Sequence, residues 1–172
     1  PARGLIGFTT EFMSMTRGYG IMNHTFDQYM PMVKGTIGGR SRGALISMDQ
    51  GSVTSYAMGY VQERGVLFVE AGTEVYAGMI IGEHSRDNDL TVNVTKAKQQ
   101  TNVRSSNKDS TSVLNASKIL SLEESLEFLG DDEYMEVTPE SIRLRKQILD
   151  KAMREKATKK KKRGAKRVIR NI

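Results

Sequence analysis

The sequence contains no cysteine and only two histidines among its 172 residues. The lack of cysteine excludes disulfide bonds, thiolate metal sites, iron–sulfur clusters and thiol nucleophiles, and two histidines are too few for a multi-histidine metal centre. No apolar run approaches the roughly 18 residues that a membrane-spanning helix requires, and the first residues lack the layout of a secretion signal. We therefore expect a soluble, cytoplasmic protein that contacts no membrane.

Nucleotide-binding motifs are missing as well. No GxxxxGK[ST] sequence occurs, and the glycine-rich stretch 35–43 neither follows a predicted strand nor opens a helix, as a dinucleotide-binding loop would. We interpret this stretch as a flexible linker and predict a domain boundary near Met32. The chain begins with proline, and residue 3 already lies in a predicted helix, which suggests a piece of a longer protein.

The positive charge is concentrated at one end. Residues 151–172 hold eleven Lys and Arg against the single acid Glu155, so the net charge of +6 leaves −4 for the remaining residues. A basic segment of this kind binds phosphate-rich surfaces by counterion release without sequence specificity. The residues from Gln147 onward are strong helix formers, but like charges repel along a helix, so we expect the basic tail 151–172 to fray among its lysines and its last dozen residues to be disordered.

Two elements are predicted before the linker. An apolar stripe at three- and four-residue steps predicts an amphipathic helix over residues 3–17. An alternating pattern predicts a strand over residues 19–29.

An antiparallel sheet is predicted after the linker. Short turn signals separate four apolar or alternating runs, which favours strands joined by tight turns. The runs span residues 44–48, 53–62, 65–70 and 75–83. Residues 84–112 contain few large apolar side chains, and we predict a long loop there.

A helix and a hairpin are predicted near the C-terminal end. Ser121 and Glu124 form a capping box, and the helix after it is expected to bury Leu122, Leu126 and Leu129. Residues 134–137 and 142–145 both alternate, so we favour a second hairpin. A helix that begins at Thr138, with Pro139 in its first turn, is the alternative.

Three polar residues of the predicted loop have the chemistry of a catalytic or metal site. Histidine is a residue type suited to acid–base chemistry and metal binding, and the carboxylates of Asp87 and Asp89 are close enough in sequence to orient His84 or to share a metal ion with it. The same residue types form turns by bonding to their own backbone, and we favour that structural role.

The same loop is also a candidate RNA contact. Residues 84–108 contain five Lys or Arg against two acids, and their Asn, Gln, Ser and Thr side chains suit 2′-hydroxyl groups and base edges. The loop lacks aromatic side chains for stacking, so composition alone leaves an RNA contact and a plain solvated loop equally supported.

Several long segments resemble the C-terminal part of the translational GTPase family TypA/BipA. These segments are PARGLIGFTTEFMSMTRGYGIMNHTFDQY, GTEVYAGMIIGEHSRDNDLTVN, KQQTNVR, SLEESLEFL and EVTPESIRLRK. The resemblance implies an α+β fold with a β-rich antiparallel C-terminal domain and few short helices. It also implies that residues 1–31 are the second half, helix plus strand, of an elongation factor G-like split β-α-β domain. Residues 32–150 would be the family-specific domain, followed by the tail 151–172.

The resemblance further implies a non-enzymatic, monomeric, ribosome-binding module linked to stress response and large-subunit assembly. Its partners would be the ribosome, 23S rRNA and the A-site tRNA. GTP and Mg²⁺ would belong to the full-length family protein, and no cofactor is expected in this piece. The alternative is a protein-interaction platform whose basic tail gives nonspecific nucleic-acid affinity.

The resemblance favours RNA contact for the loop, with Arg86, Lys96, Lys98 and Arg104 at phosphates. The RNA-contacting residues that it implies are His84, Ser85, Arg86, Asn88, Asp89, Asn93, Lys96, Lys98, Gln99, Thr101, Asn102 and Arg104.

Overall fold

A computed structural model describes residues 2–5, 8–32, 40–97 and 114–169. The helices are α1 (Phe8–Met15), α2 (Ser55–Val61), α3 (Leu122–Phe128) and α4 (Lys151–Ile169), with short 3₁₀ turns at Ala2–Leu5 and Gln62–Arg64. The strands are β1 (Ala44–Ser47), β2 (Gly51–Ser52), β3 (Gly65–Leu67), β4 (Glu74–Val75), β5 (Met79–His84), β6 (Leu90–Val92), β7 (Glu133–Val137) and β8 (Ile142–Lys146). The predicted β-rich α+β class is confirmed.

Strand β5 is the centre of the main sheet, whose order is β6-β1-β5-β8-β7. One edge of β5 pairs with β1, and the other edge pairs with β3 along one half and β8 along the other. All of these pairs are antiparallel, as predicted, but β6 pairs parallel with β1. The short strands β2 and β4 form a separate antiparallel pair.

Both faces of the central strands β1 and β5 are buried. On β1, Leu45 packs with α2 and its neighbours in one apolar cluster, while Ala44 and Ile46 pack with Phe128 of α3 in a second. All four residues of β1 are buried, because a strand covered on both faces loses its polar side. The sheet therefore supports a helix on each face.

Residues 53–62, predicted as a strand, form helix α2 instead. The hydroxyl of Thr54 accepts a hydrogen bond from the Ala57 backbone N–H at 3.2 Å and caps the helix. The buried residues Ala57, Met58 and Val61 then lie on one helical face. The prediction was wrong because the short alternating pattern outweighed the cap signal.

The capping box before α3 is confirmed, but its buried face was predicted wrongly. Ser121 and Glu124 satisfy each other's backbone N–H groups at 3.2 and 2.9 Å. The buried residues of α3 are Ser125 and Phe128, whereas two of the leucines predicted inside remain more than 40% exposed. The helix is turned so that its aromatic residue, the largest apolar side chain available, contacts the sheet.

The second hairpin is confirmed, and the alternative helix from Thr138 is wrong. Strands β7 and β8 pair over five residues, from Glu133 with Lys146 to Val137 with Ile142. Thr138 closes the turn, because its backbone N–H and its side-chain hydroxyl both donate to the Ser141 carbonyl.

Two other predicted features differ in the structure. Residues 19–29 form no strand, because a strand needs a partner edge and the described residues offer none to this segment. The predicted long loop is interrupted by β6, whose residues pair with β1. The remainder of that prediction, residues 98–112, lies outside the described residues.

The helix formers predicted after Gln147 form α4 over Lys151–Ile169, which extends into the segment predicted to be disordered. The carboxylate of Asp150 accepts from the Met153 backbone N–H at 2.7 Å, which caps the helix, and the Ala, Lys and Arg residues that follow are good helix formers. Cap and propensity outweigh the like-charge repulsion on which the prediction rested. None of the helices in the described parts of the chain is both long and apolar enough to cross a bilayer.

Candidate nucleic-acid interface

The turn at residues 85–88, which follows β5, is fixed by hydrogen bonds. The Ser85 backbone N–H donates to the Arg64 carbonyl at 2.8 Å, and the Gly43 N–H donates to the Arg86 carbonyl at 2.7 Å. His84 is buried, with its Nδ1 atom 2.6 Å from the Asn88 carbonyl oxygen. The four residues of the turn are exposed on this rigid support.

Gly43 allows the turn to approach β1. A Cβ atom at this position would lie 2.1 Å from the Asn88 carbonyl oxygen, far inside contact distance. The absence of a side chain therefore determines how closely the turn packs against the start of β1.

Asp89, directly after the turn, belongs to a charge cluster whose centre is buried. Its carboxylate lies 2.6 Å from Lys146 Nζ and accepts from the Ala44 backbone N–H at 2.8 Å. Lys146 Nζ also lies 2.7 Å from Glu133, which Arg40 contacts through both terminal guanidinium nitrogens. The side chains of Lys146 and Glu133 are only 2% and 0% exposed. We call Lys146, Asp89, Glu133, Arg40 and the nearby Asp132 the Lys146 cluster.

The contacts of Lys146 and Asp89 favour the ionised form of each group against the effect of burial on its pKa. Burial disfavours the ammonium of Lys146, but hydrogen bonds to Asp89 and Glu133 outweigh it, so the pKa of Lys146 is raised. Burial disfavours the carboxylate of Asp89 too, but the bonds from Lys146 and from the Ala44 N–H outweigh it and lower the pKa of Asp89. The cluster thus attaches the base of the turn to β8 and β7.

These shifts predict how stability depends on pH. The contribution of Asp89 is present above its unfolded pKa of about 3.9 and is lost as the pH falls through the lower folded value. The contribution of Lys146 is complete below about pH 10.4 and is lost as the pH rises through the higher folded value. We expect the contribution of the cluster to the free energy of unfolding, measured with urea, to be constant between these limits. Asp89→Asn should flatten the acid limb, and parallel acid limbs for the two proteins would contradict the assignment.

Residues 93–97, after β6, form a second rigid support that we call the stem. The Thr54 backbone N–H donates to the Val94 carbonyl at 3.0 Å, and the Thr54 hydroxyl donates to the Lys96 carbonyl at 2.6 Å. The Asn93 amide donates to Asp49 at 2.8 Å. The side chain of Lys96 is exposed while its backbone is held against the N-terminus of α2.

Two tyrosines that the sequence prediction missed lie on α2 beside the stem. The ring centroids of Tyr56 and Tyr60 are 5.1 Å apart and the ring planes meet at 72°. Their four-residue spacing is a helical signal, but it was hidden because residues 53–62 were assigned to a strand. The interface therefore has aromatic side chains that the loop itself lacks.

The predicted site residues fall into three groups. Ser85, Arg86 and Asn88 are together on the exposed turn, and Asn93 and Lys96 are on the stem. His84 and Asp89 point into the internal contacts described above. Five further predicted residues lie outside the described residues: Lys98, Gln99, Thr101, Asn102 and Arg104.

The catalytic alternative finds no support in the described geometry. His84 bonds to a backbone carbonyl, and Asp89 bonds to Lys146 and Ala44. Across the described ranges, no three His, Asp or Glu side chains are grouped in a way that would hold a metal ion. His84 bonds within the turn, but the Asp89 carboxylate bonds to Ala44 and Lys146 instead of to its own backbone, so the turn-forming interpretation is wrong for Asp89.

Known proteins are similar to nearly all of the chain. The family model of the TypA/BipA C-terminal domain matches residues 42–151, and that of the elongation factor G C-terminus matches residues 1–37. The large ribosomal subunit assembly factor BipA of Bacillus subtilis is 65% identical over 94% of this chain and 26% of its own length. The proteins of that name from Synechocystis and Haemophilus influenzae are 51% and 49% identical, over 85% and 92% of this chain and 24% and 26% of their own lengths. The chain therefore spans about a quarter of the length of these relatives.

Proposed function

The chain belongs to the TypA/BipA family, and from this premise we propose that it is a ribosome-binding module without catalysis of its own. In this proposal the turn and the stem contact 23S rRNA and the A-site tRNA. GTP binding, Mg²⁺ and hydrolysis belong to other parts of the full-length family protein, and the link to stress response is an expectation from the family. The relatives are named as assembly factors of the large ribosomal subunit, which supports that subunit as the partner.

One observation carries the proposal: Arg86 and Lys96 are exposed cations on anchored backbone. Each has a carbonyl that accepts a hydrogen bond from the sheet domain, one from Gly43 and one from Thr54. The nearest acid to the turn on its C-terminal side, Asp89, has its charge balanced by Lys146. Because the backbone at both residues is already fixed, only their side chains lose conformational entropy on binding phosphates, so this arrangement suits the backbone of folded RNA.

Neutralising the proposed phosphate contacts tests the function. Arg86, Lys96, Lys98 and Arg104 are all changed to Gln, and binding to purified large ribosomal subunits is measured by sedimentation at fixed salt. We expect a loss of more than tenfold, about 1.4 kcal/mol, and a shallower dependence of affinity on salt concentration.

The control variant carries the same change in charge at exposed positions away from the turn and the stem. It replaces Arg17, Lys118, Arg143 and Lys156 with Gln. Equal losses for the two variants would mean that net charge alone drives binding, and unchanged binding of the first variant would refute the proposal.

The second candidate function is a protein-interaction platform whose basic end binds nucleic acid nonspecifically. The lysine-rich helix α4 is the element that would supply this affinity. Deleting residues 158–172 removes most of that charge but keeps Arg154, which donates to the Ile148 and Leu149 carbonyls at 3.0 and 2.5 Å. Under the main proposal, specific subunit binding survives the deletion. Loss of all binding would favour the second candidate.

A further inference from the structure

The outer face of α2 carries a fixed pair of aromatic rings. Tyr56 and Tyr60 are one helical turn apart, and the Tyr60 hydroxyl donates to that of Tyr56 at 3.4 Å. Tyr60 is 60% exposed, while the opposite face of the helix is buried in the core. The edge-to-face contact limits the motion of the Tyr60 ring and leaves part of its surface open to a ligand.

Lys96 lies next to this ring pair. The N-terminus of α2 and the stem share the hydrogen bond between the Thr54 hydroxyl and the Lys96 carbonyl, so both are held in one rigid unit. The hydrogen bond with Tyr56 raises the pKa of Tyr60, and the positive charge of Lys96 opposes that rise from nearby. The phenol is therefore neutral at physiological pH and has a cation beside it.

We propose that Tyr60, held by Tyr56, stacks on an unpaired base of an RNA strand while Lys96 contacts an adjacent phosphate. Unpaired RNA bases are recognised by stacking on aromatic side chains, and lysine supplies the charge that follows the backbone. Glu63 also acts on Tyr60 electrostatically, so the phosphate is expected beside Lys96 and not beside Glu63. This inference rests on the proposed function and adds a base-contacting residue to it.

The probe is a twelve-nucleotide oligouridylate, which has no stable paired structure. Binding is measured by the anisotropy of a fluorescein label on the oligonucleotide, so that the readout does not depend on the tyrosine that the variants replace. We expect Tyr60→Leu to weaken oligouridylate binding about tenfold, the range for loss of one base–aromatic stack. Tyr60→Phe keeps the ring and should bind within about twofold of the unsubstituted chain.

Tyr29→Leu is the matched control. Tyr29 is also exposed and also contacts an aromatic ring, that of Phe26 at 5.0 Å between centroids. Its replacement should leave oligouridylate affinity unchanged. Equal losses for Tyr29→Leu and Tyr60→Leu would overturn the assignment of the base to Tyr60.

Salt dependence separates the two contacts. Lys96→Gln should lower the slope of log affinity against log salt by about 0.7, the value for one phosphate of a single strand. Tyr60→Leu should lower the affinity and leave that slope unchanged.

Failure of the stacking proposal is distinguishable from failure of the proposed function. If Tyr60→Leu binds oligouridylate as tightly as the unsubstituted chain while neutralising the four basic residues still abolishes subunit binding, only the stack is refuted. If Tyr60→Leu weakens binding to intact subunits but not to oligouridylate, the ring contacts a protein and the stack is again refuted. If neither substitution set affects subunit binding, the proposed function fails.

Discussion

Replacing Lys146 with methionine is expected to lower the free energy of unfolding by about 3–5 kcal/mol, the cost of removing one partner from a buried ion pair. Methionine fills the space of the lysine stem but has no charge. Glu133 and Asp89 would then face Arg40 as the remaining cation of the cluster, with Asp132 adding a third carboxylate. Glu133 is fully buried, so solvent does little to screen the excess negative charge there, whereas Asp89 and Asp132 are 37% and 56% exposed.

The same substitution at Lys118 is the control. Lys118 lies 3.0 Å from Glu124, a distance similar to those around Lys146, but its side chain is 55% exposed. An exposed pair contributes about 0–1 kcal/mol, so Lys118→Met should be close to neutral. Urea unfolding gives the free energy of unfolding of both variants. Because the substitution is the same, the difference between them reports the effect of burying the ion pair. A loss below about 1 kcal/mol for Lys146→Met would contradict the stabilising role of the cluster.

The Lys146 cluster also affects the proposed interface, although its residues do not contact RNA in the proposal. Asp89 directly follows the turn that carries Arg86, and an uncompensated carboxylate there would repel phosphate. Lys146 balances that charge and bonds the turn to β8. In the proposed function, the cluster therefore holds the turn rigid and reduces the repulsion between Asp89 and a phosphate.

Features set by residues that are close together in the sequence could be predicted from it. The capping box of Ser121 and Glu124 requires only a three-residue spacing, and the β7–β8 hairpin is encoded in alternation around a short turn. The exposed cations Arg86 and Lys96 were likewise predicted, because charge in a polar segment is visible in composition.

Features that depend on distant residues were missed. Lys146 has the same parity in its strand as the apolar Ile142 and Leu144, and only the fold brings it to Asp89 and Glu133. Tyr60 lies on the surface beside Lys96 because residues Ser55–Val61 form α2. That helix depends on the Thr54 cap and on burial against the sheet. Tertiary packing decided between helix and strand where the local pattern fitted both.

Helix α3 gives the clearest separation between what the sequence specifies and what packing decides. Its start is fixed by the cap, but three leucines and one phenylalanine compete for the inner face. Phe128 occupies the inner face. Its ring packs edge-to-face with Phe68, with 5.1 Å between centroids, and its centroid lies 4.2 Å from the guanidinium carbon of Arg40. The Phe128 carbonyl also accepts from Arg40 at 2.8 Å, which links the helix end to the charge cluster.

Phe128→Ala is therefore expected to cost about 3–5 kcal/mol of unfolding free energy, the range for removing a buried aromatic side chain and leaving a cavity. Leu126→Ala, on the same helix but 42% exposed, is the matched control and should cost less than about 1 kcal/mol. Both are measured by urea unfolding with far-ultraviolet circular dichroism. Similar costs for the two variants would mean that α3 is oriented as the leucine pattern predicts, and the second core cluster would have to be reassigned.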